Sequence, residues 1–428
     1  MAHLLGPRLW PILLLNVAVS PGTPLTGQSP FIRGDFNADG RVDLGDPVRL
    51  LFHLFEAGAS GGCLAAGDAS SDGTLDAGDA VFVLSYLFVE GANPAPPFPN
   101  CGTSADAETV TCIEHAACSN PDRAPEITEW PVPYGASSRP RDPYVDATGR
   151  VWFVGQNADY AAFLLQETGA FTRFPLPAGA GPHNLIVGER YVWYAGNGDA
   201  HIGRLDPATR EVQRIDMPDP AASDPHTLVF DRNGDIYFTV QFGGFVGKLT
   251  VATGEVRLRA VPTPGAKPYG IAIDPTGRPW FDEFGTNKIA SIDPETLSIE
   301  EVTLPRSSAR PRRIGVTTDG AIWYVDYAGG YLGRVVPSTK AIDEWLMPGG
   351  ARSRPYAMAV DDRDRIWFVE TGSSPNRFVG FNPRTSQFFG ATPIPSRGGT
   401  VRHMYFHAPE RTIWFGTDAN TIGKAIVE

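Results

Sequence analysis

Seven times along the chain the sequence returns to a pair of adjacent aromatic residues: Trp152-Phe153, Trp193-Tyr194, Tyr237-Phe238, Trp280-Phe281, Trp323-Tyr324, Trp367-Phe368 and Trp414-Phe415. Successive pairs lie 41 to 47 residues apart. A repeat of this length cannot bury its apolar side alone and must pack against copies of itself. A small residue between apolar and mostly basic neighbours follows six of the pairs, as Ile202-Gly203-Arg204, Val246-Gly247-Lys248, Ile289-Ala290-Ser291, Leu332-Gly333-Arg334, Val379-Gly380-Phe381 and Ile422-Gly423-Lys424. An apolar stretch such as 270–274 precedes the pair, and an alternating stretch ending in proline, as at 171–175, 300–305 and 342–348, closes the repeat. Four short strands in about 43 residues are the unit of a propeller blade. The seventh repeat reaches only its third strand, while a segment matching the missing one, 127–133, stands before the first. Pairing the two closes the ring and removes a sheet edge. The expected fold is therefore mainly β: a seven-bladed β-propeller over residues 126–428.

Composition agrees with that body. The chain has 47 Gly, 39 Pro and 11 % aromatic residues, an abundance of turn formers beside side chains that suit pleated, half-buried surfaces. A formal charge of -12 speaks against nucleic acid as a partner, which calls for a basic stripe. Residues 1–27, with Arg8 ahead of an apolar run from Leu9 to Leu15, read as a secretory signal. The run is shorter than the ~20 residues that span a bilayer. A soluble monomer, secreted, periplasmic or at the cell surface, is expected. The four cysteines, Cys63, Cys101, Cys112 and Cys118, cluster in the first third of the chain, which after export means two disulfides. Three connectivities are open; the preferred one joins Cys63 to Cys101 and closes a local loop between Cys112 and Cys118. Zinc is the less favoured reading, because no CxxC spacing occurs and His115 is the one suitably placed histidine.

Between 32 and 119 two segments fit the 12-residue calcium loop, whose ligands stand at positions 1, 3, 5, 7, 9 and 12 around a glycine at position 6. The first offers Asp35, Asn37, Asp39, the carbonyl of Arg41, Asp43 and Asp46; the second offers Asp68, Ser70, Asp72, the carbonyl of Thr74, Asp76 and Asp79. Each is followed by a helical pattern, 47–55 and 80–88. Loop-helix units in tandem without a leading helix, with Asp at position 12, resemble a dockerin type I module. The resemblance implies two Ca2+ ions and a small α-helical, EF-hand-like domain with a possible protein partner. Dockerins that bind cohesin often carry hydroxyls at loop positions 10 and 11; Leu44-Gly45 and Ala77-Gly78 stand there, which disfavours cohesin. An anchor or spacer is the plainer role. Residues 120–125 read as a linker.

One position just ahead of each innermost strand is expected to point toward the propeller axis: Arg141, His183, His226, Tyr269, Arg312, Tyr356 and His403. A second set after the aromatic pairs is acidic or amide, with Gln241, Asp282 or Glu283, Asp326, Glu370 and Asp418. Side chains of the first kind form a ligand site or merely bridge neighbouring blades. The repeat as a whole, with its closing stretches at 354–370 and 412–426, resembles the virginiamycin B lyase family. That resemblance implies elimination across an ester bond of a cyclic depsipeptide, assisted by Mg2+ and a histidine base. The family's catalytic histidine falls on His403. Its substrate-contacting histidine falls on Tyr356, and its two magnesium-binding glutamates fall on Val401 and Asp418. Two readings follow. In the first the channel binds a small-molecule, peptide or glycan ligand through Arg141, Tyr269, Arg312, Tyr356 and Asp418. In the second it is a lyase or hydrolase acting on an ester or a polysaccharide, with His403, His226 or His183 as base.

Overall fold

A computed structural model of the chain describes residues 29–56, 63–104, 110–113, 115, 118 and 122–427, and the expected signal segment lies outside them. The chain divides into two compact units, Met1–Asn120 and Pro121–Glu428.

The larger unit consists of seven four-stranded antiparallel sheets. Six are built from four consecutive strands, and the seventh is completed by Glu126–Pro131 from the other end of the unit. That strand pairs with Thr421–Ile426, placing Trp130 opposite Ile422. The innermost strands are Pro140–Val145, Pro182–Val187, Pro225–Phe230, Pro268–Ile273, Pro311–Val316, Pro355–Val360 and Val401–His407. Each lies beside the innermost strand of the next sheet, and the last lies beside the first, so the ring is closed.

The repeat markers have local causes. The second strand of each blade is buried on both faces, and in four blades its first aromatic residue is fixed by a polar group six positions earlier. Asp146 accepts the indole N–H of Trp152 at 2.7 Å, Asp274 that of Trp280 at 3.0 Å and Asp361 that of Trp367 at 2.8 Å. In blades two, three, five and seven the third strand carries glycine because the second aromatic ring lies against it. A Cβ on Gly203 would stand 2.0 Å from Cζ of Tyr194, and one on Gly333 2.0 Å from Cζ of Tyr324. Each pair of adjacent blades encloses its own apolar core. The core between the seventh blade and the first joins Trp414 and Ile422 to Val145, Val151 and Phe153. Trp130 of the closing strand stacks on Trp414 with centroids 5.6 Å apart.

Among its described residues the smaller unit has three short helices, Gly45–Phe55, Leu64–Gly67 and Ala77–Phe88. Its disulfides depart from the preferred pairing: Cys63 joins Cys112, and Cys101 joins Cys118. The reason is tertiary. The chain around Cys112 runs antiparallel to that around Cys63, with Leu64 N–H donating to the carbonyl of Thr111 at 3.0 Å, and Ser29 N–H to that of Cys112 at 3.0 Å. This brings Cys112 against Cys63 despite 49 residues of separation. Closure of the shortest loop therefore does not decide the pairing.

A chain lacking residues up to 131 is expected to melt several degrees lower and to self-associate, because Thr421–Ile426 becomes a bare edge. Thermal melts with light scattering check this; an unchanged melt would mean the closing strand contributes nothing.

Candidate functional site

The start of every innermost strand carries a bulge. In six blades the ladder skips two residues, as between Arg141 and Tyr144 or Pro182 and Leu185. In the fifth the skip is shorter, between Pro311 and Arg313. A bulge releases a residue from the ladder and re-aims its side chain. The bulges leave His183, His226, Tyr269, Arg312, Tyr356 and His403 outside the ladder, whereas Arg141 stays opposite Val154, and the seven expected positions crowd together rather than line an open bore. The rings of His183 and His226 lie 3.5 Å apart, and those of His226 and Tyr269 3.9 Å. The hydroxyls of Tyr269 and Tyr356 form a hydrogen bond across two blades. The guanidinium of Arg312 lies over Tyr356 at 3.8 Å and over Phe284 at 4.3 Å. Arg141, His183, His226, Tyr269 and Tyr356 are buried, whereas Arg312, Arg402 and His403 are half-buried and form the solvent side of the cluster.

The residues that join the cluster come one position later in each strand, and the sequence reading missed them. Arg313 spans the axis: its Nε donates to the carbonyl of Arg402 at 2.9 Å, its Nη1 to Thr227 Oγ1 at 3.1 Å, and its Nη2 lies 3.5 Å from Asp142. Asp142 also receives Arg141 Nε at 3.3 Å and Asn184 Nδ2 at 3.0 Å. The position after each axial residue reads Asp142, Asn184, Thr227, Gly270, Arg313, Ala357 and Met404. Polar residues at four of seven places on an otherwise apolar strand were the available signal.

Arg141 and Arg313 face the buried carboxylate of Asp142, and Arg312 lies beside them on aromatic faces; with Asp282 held neutral by burial, positive charge is in surplus. Burial acts against the charge on Asp142, but Arg141, His403 and Arg313 outweigh it and hold its pKa down at about 2. Burial, reinforced by neighbouring guanidiniums, keeps His183 and His226 well below the ordinary imidazole range. His403 is likewise lowered by burial, partly offset by Asp142, to about 4. All three imidazoles are neutral at neutral pH. Several polar atoms at the core of the cluster have no hydrogen-bond partner: Arg141 Nη2, His183 Nδ1, His226 Nε2 and His403 Nδ1.

Of the acidic set, Asp418 touches this cluster through Arg402 and Asp282 feels Arg312 and Arg313, while the rest stand apart. Asp326 and Glu370 are buried at the ends of second strands, where Asp326 accepts the N–H of Arg310 at 2.8 Å and Glu370 that of Gly349 at 2.6 Å. Glu283 accepts from Thr286 at 2.7 Å, and Gln241 donates its backbone N–H to the carbonyl of Asp224 at 3.4 Å. These groups hold loops. Asp282 lies buried against the N–H of Gly270 at 3.2 Å, and burial keeps its pKa well above the carboxylate range. Asp418 is paired with Arg402 and lies 3.8 Å from Arg139. Val401 is fully buried in an apolar core with Trp367 and Phe415. A carboxylate claimed by two guanidiniums and an apolar side chain are a poor donor set for Mg2+, so the magnesium position that the resemblance implies does not fit the propeller's residues. Among the described residues no group of three histidine, cysteine or acidic side chains stands ready around a cation.

In the smaller unit the two acidic loops repeat one hydrogen-bond pattern. Asp35 accepts the N–H groups of Asp39 and Gly40 at 3.0 and 2.8 Å; Asp68 accepts those of Asp72 and Gly73, both at 3.2 Å. Asp46 reaches back to Asn37 N–H at 3.1 Å and Asp43 N–H at 2.8 Å, as Asp79 does to Ser70 at 3.0 Å and Asp76 at 3.1 Å. Positions 1 and 12 therefore face each other across each loop. Burial pushes Asp35 up to about 8 and Asp46 up to about 7.

Because the axial histidines bind protons less readily in the fold than the ordinary value of 6.5, the folded state holds fewer protons than the unfolded one below that pH. Their contribution is present above pH 6.5 and lost toward pH 4. Melts of the propeller should fall across that window, and His226→Gln should flatten the slope; equal slopes for the two proteins would refute the assignment.

The sequence matches the virginiamycin B lyase family over residues 102–374. No curated protein matches the chain. Among solved structures, a streptogramin B lyase is 27 % identical, with a TM-score of 0.64 over 70 % of this chain and 97 % of its own. A catalytically inactive virginiamycin B lyase from Staphylococcus aureus with quinupristin is 26 % identical, with a TM-score of 0.64 over 71 % of this chain and 99 % of its own. The extracellular domain of a putative one-component system from B. thetaiotaomicron shares the fold at 15 % identity and a TM-score of 0.55, over 71 % of this chain and 42 % of its own. With the family matched across well over half its length, the chain belongs to the virginiamycin B lyase family.

Proposed function

We propose that the propeller binds a carboxylated ligand at the mouth formed by Arg312, Arg402 and His403, and that it does so without magnesium. The surplus of guanidinium charge carries the reading. Arg141 and Arg313 cannot both be neutralised by Asp142, and Arg312 rests on aromatic faces with its Nε unpartnered. A planar fork of donors held this way suits a carboxylate. Tyr356 supports the same reading, since a phenol beside guanidiniums adds a further donor where the family's lyases place a histidine.

One observation favours a second reading, elimination. His403 is neutral, half-buried and on the open side of the cluster, as a general base must be. It would take the proton α to the ligand's carboxylate while Arg312 stabilises the enolate. The electron pair then forms the carbon–carbon double bond, the β carbon–oxygen bond breaks, and the departing oxygen takes a proton from a tyrosine hydroxyl. Guanidiniums would do the charge stabilisation that the family's lyases assign to a metal.

For the smaller unit we propose two Ca2+ ions, held by Asp35, Asn37, Asp39, Asp43 and Asp46 with the carbonyl of Arg41, and by Asp68, Ser70, Asp72, Asp76 and Asp79 with the carbonyl of Thr74. Buried, mutually facing carboxylates at positions 1 and 12 support this, because each loop concentrates oxygens that repel one another without a cation. The unit then serves as an anchor or spacer on an exported protein. Two disulfides fit an oxidising compartment, and no helix among the described residues is long and apolar enough to cross a membrane.

Titration calorimetry with oligogalacturonates should show binding that Arg312→Ala weakens at least tenfold and that EDTA leaves unchanged; equal affinity in the variant would refute the carboxylate site. Release of a conjugated product absorbing in the ultraviolet, abolished by His403→Ala, would establish elimination. Excess EGTA should lower the melting temperature of the smaller unit, and Asp46→Ala with Asp79→Ala should reproduce the loss. An identical melt in chelator would refute calcium binding.

A further inference from the structure

The far ends of the same inner strands hold a second concavity that the axial cluster does not use. It is a cleft of about 720 Å3, lined by Tyr144, Tyr405, Tyr191, Trp193, Phe230 and Asp235 among others. Its size lies within the ~300–1,000 Å3 of small-molecule sites.

Two departures from the repeat build it. The residue of the inner strand that pairs with the first aromatic residue of the second strand is Ile186, Val229, Ala272, Gly315 and Ala359 in blades two to six. In blades one and seven, neighbours across the closure, it is Tyr144 and Tyr405. The fold needs only a small or aliphatic side chain there, and the two tyrosines lie ring against ring with centroids 4.3 Å apart and planes 31° from parallel. The second departure is Gly188. It occupies the turn position held by Asp146 and Asp274 in other blades: its N–H donates to Tyr191 at 2.9 Å, as theirs do to Arg150 and Arg278. Those aspartates accept the indole N–H of their tryptophans, but Gly188 has no side chain to offer Trp193, whose Nε1 has no partner among the described residues. An indole donor and an open volume replace a carboxylate.

We infer that this cleft binds a neutral glycan, with a pyranose ring lying on Tyr144 and Tyr405 and a hydroxyl accepting from Trp193 Nε1. Aromatic plates with polar rims match a sugar's C–H face and its equatorial hydroxyls. Tyr191 is held as a further plate between Arg190 at 4.9 Å and Arg204 at 4.4 Å. Asp235 is fixed by Lys248 at 3.1 Å and by the N–H of Val251 at 3.0 Å, so it presents an acceptor in a set place. A charged ligand would find opposing charges here, from Arg190, Glu189 and Asp235, and a wholly apolar one would strand the donors and acceptors.

The test uses the full-length protein with cellohexaose, xylohexaose and mannohexaose, read by tryptophan fluorescence and calorimetry. At least one hexaose should bind, and Tyr144→Ala with Tyr405→Ala should weaken it at least tenfold. Gly188→Asp is the sharper variant. A Cβ there meets nothing closer than 3.5 Å, and a carboxylate would cap Trp193 as its counterparts do, so the variant should fold with an unchanged or higher melting temperature while losing the hexaose. Its oligogalacturonate affinity at the opposite mouth should be unaffected, which separates failure of this site from failure of the axial one. Wild-type protein that ignores all three hexaoses at millimolar concentration, Gly188→Asp that binds as well as wild type, or a cleft that takes only an apolar dye would each overturn the inference.

Discussion

Six backbone pairings, from Glu126 opposite Ile426 to Pro131 opposite Thr421, convert a row of seven sheets into a ring. Each sheet buries its faces only against its neighbours, so an open row would leave two faces wet, and Trp414, Ile422, Val145 and Phe153 would have no shared core. Closure is thus a hydrophobic requirement as much as a hydrogen-bonding one. It also determines the chemistry. Arg313 on the fifth blade can reach Asp142, Thr227 and Arg402 only because the first, third and seventh blades surround one axis.

What converges there is a cluster of guanidiniums and imidazoles around the buried Asp142. His403 lies within it, while Val401 belongs to the apolar packing and Asp418 is paired with arginines. The neutral histidines are a consequence of the guanidinium charge and of burial together, since protonating any of them would add to an excess already held by one carboxylate.

Much of this was written plainly in the sequence. A period of about 43 residues with aromatic pairs is a global pattern, and it fixed blade number, strand order and even the pairing of Trp130 with Ile422. The seven axial positions followed from the same period. Arg313, Asp142, Asn184 and Thr227 did not, because their inward direction depends on a bulge, and a bulge changes strand parity without leaving a mark in hydrophobic alternation. The disulfides were misread for a related reason: Cys63 and Cys112 meet through chain segments that have no regular pattern of their own. The acidic residues after the aromatic pairs share a period with the axial set, but they point into loops, so periodicity alone could not tell a ligand group from a loop fastener.

The bulge at the head of each inner strand has an evolutionary corollary. A residue disengaged from the ladder can be exchanged without altering register, so positions 183, 226, 269, 312, 356 and 403 are replaceable side chains mounted on an indifferent frame. Selection can therefore rewrite the recognition chemistry at this mouth, one blade at a time, while the scaffold that presents it is inherited unaltered.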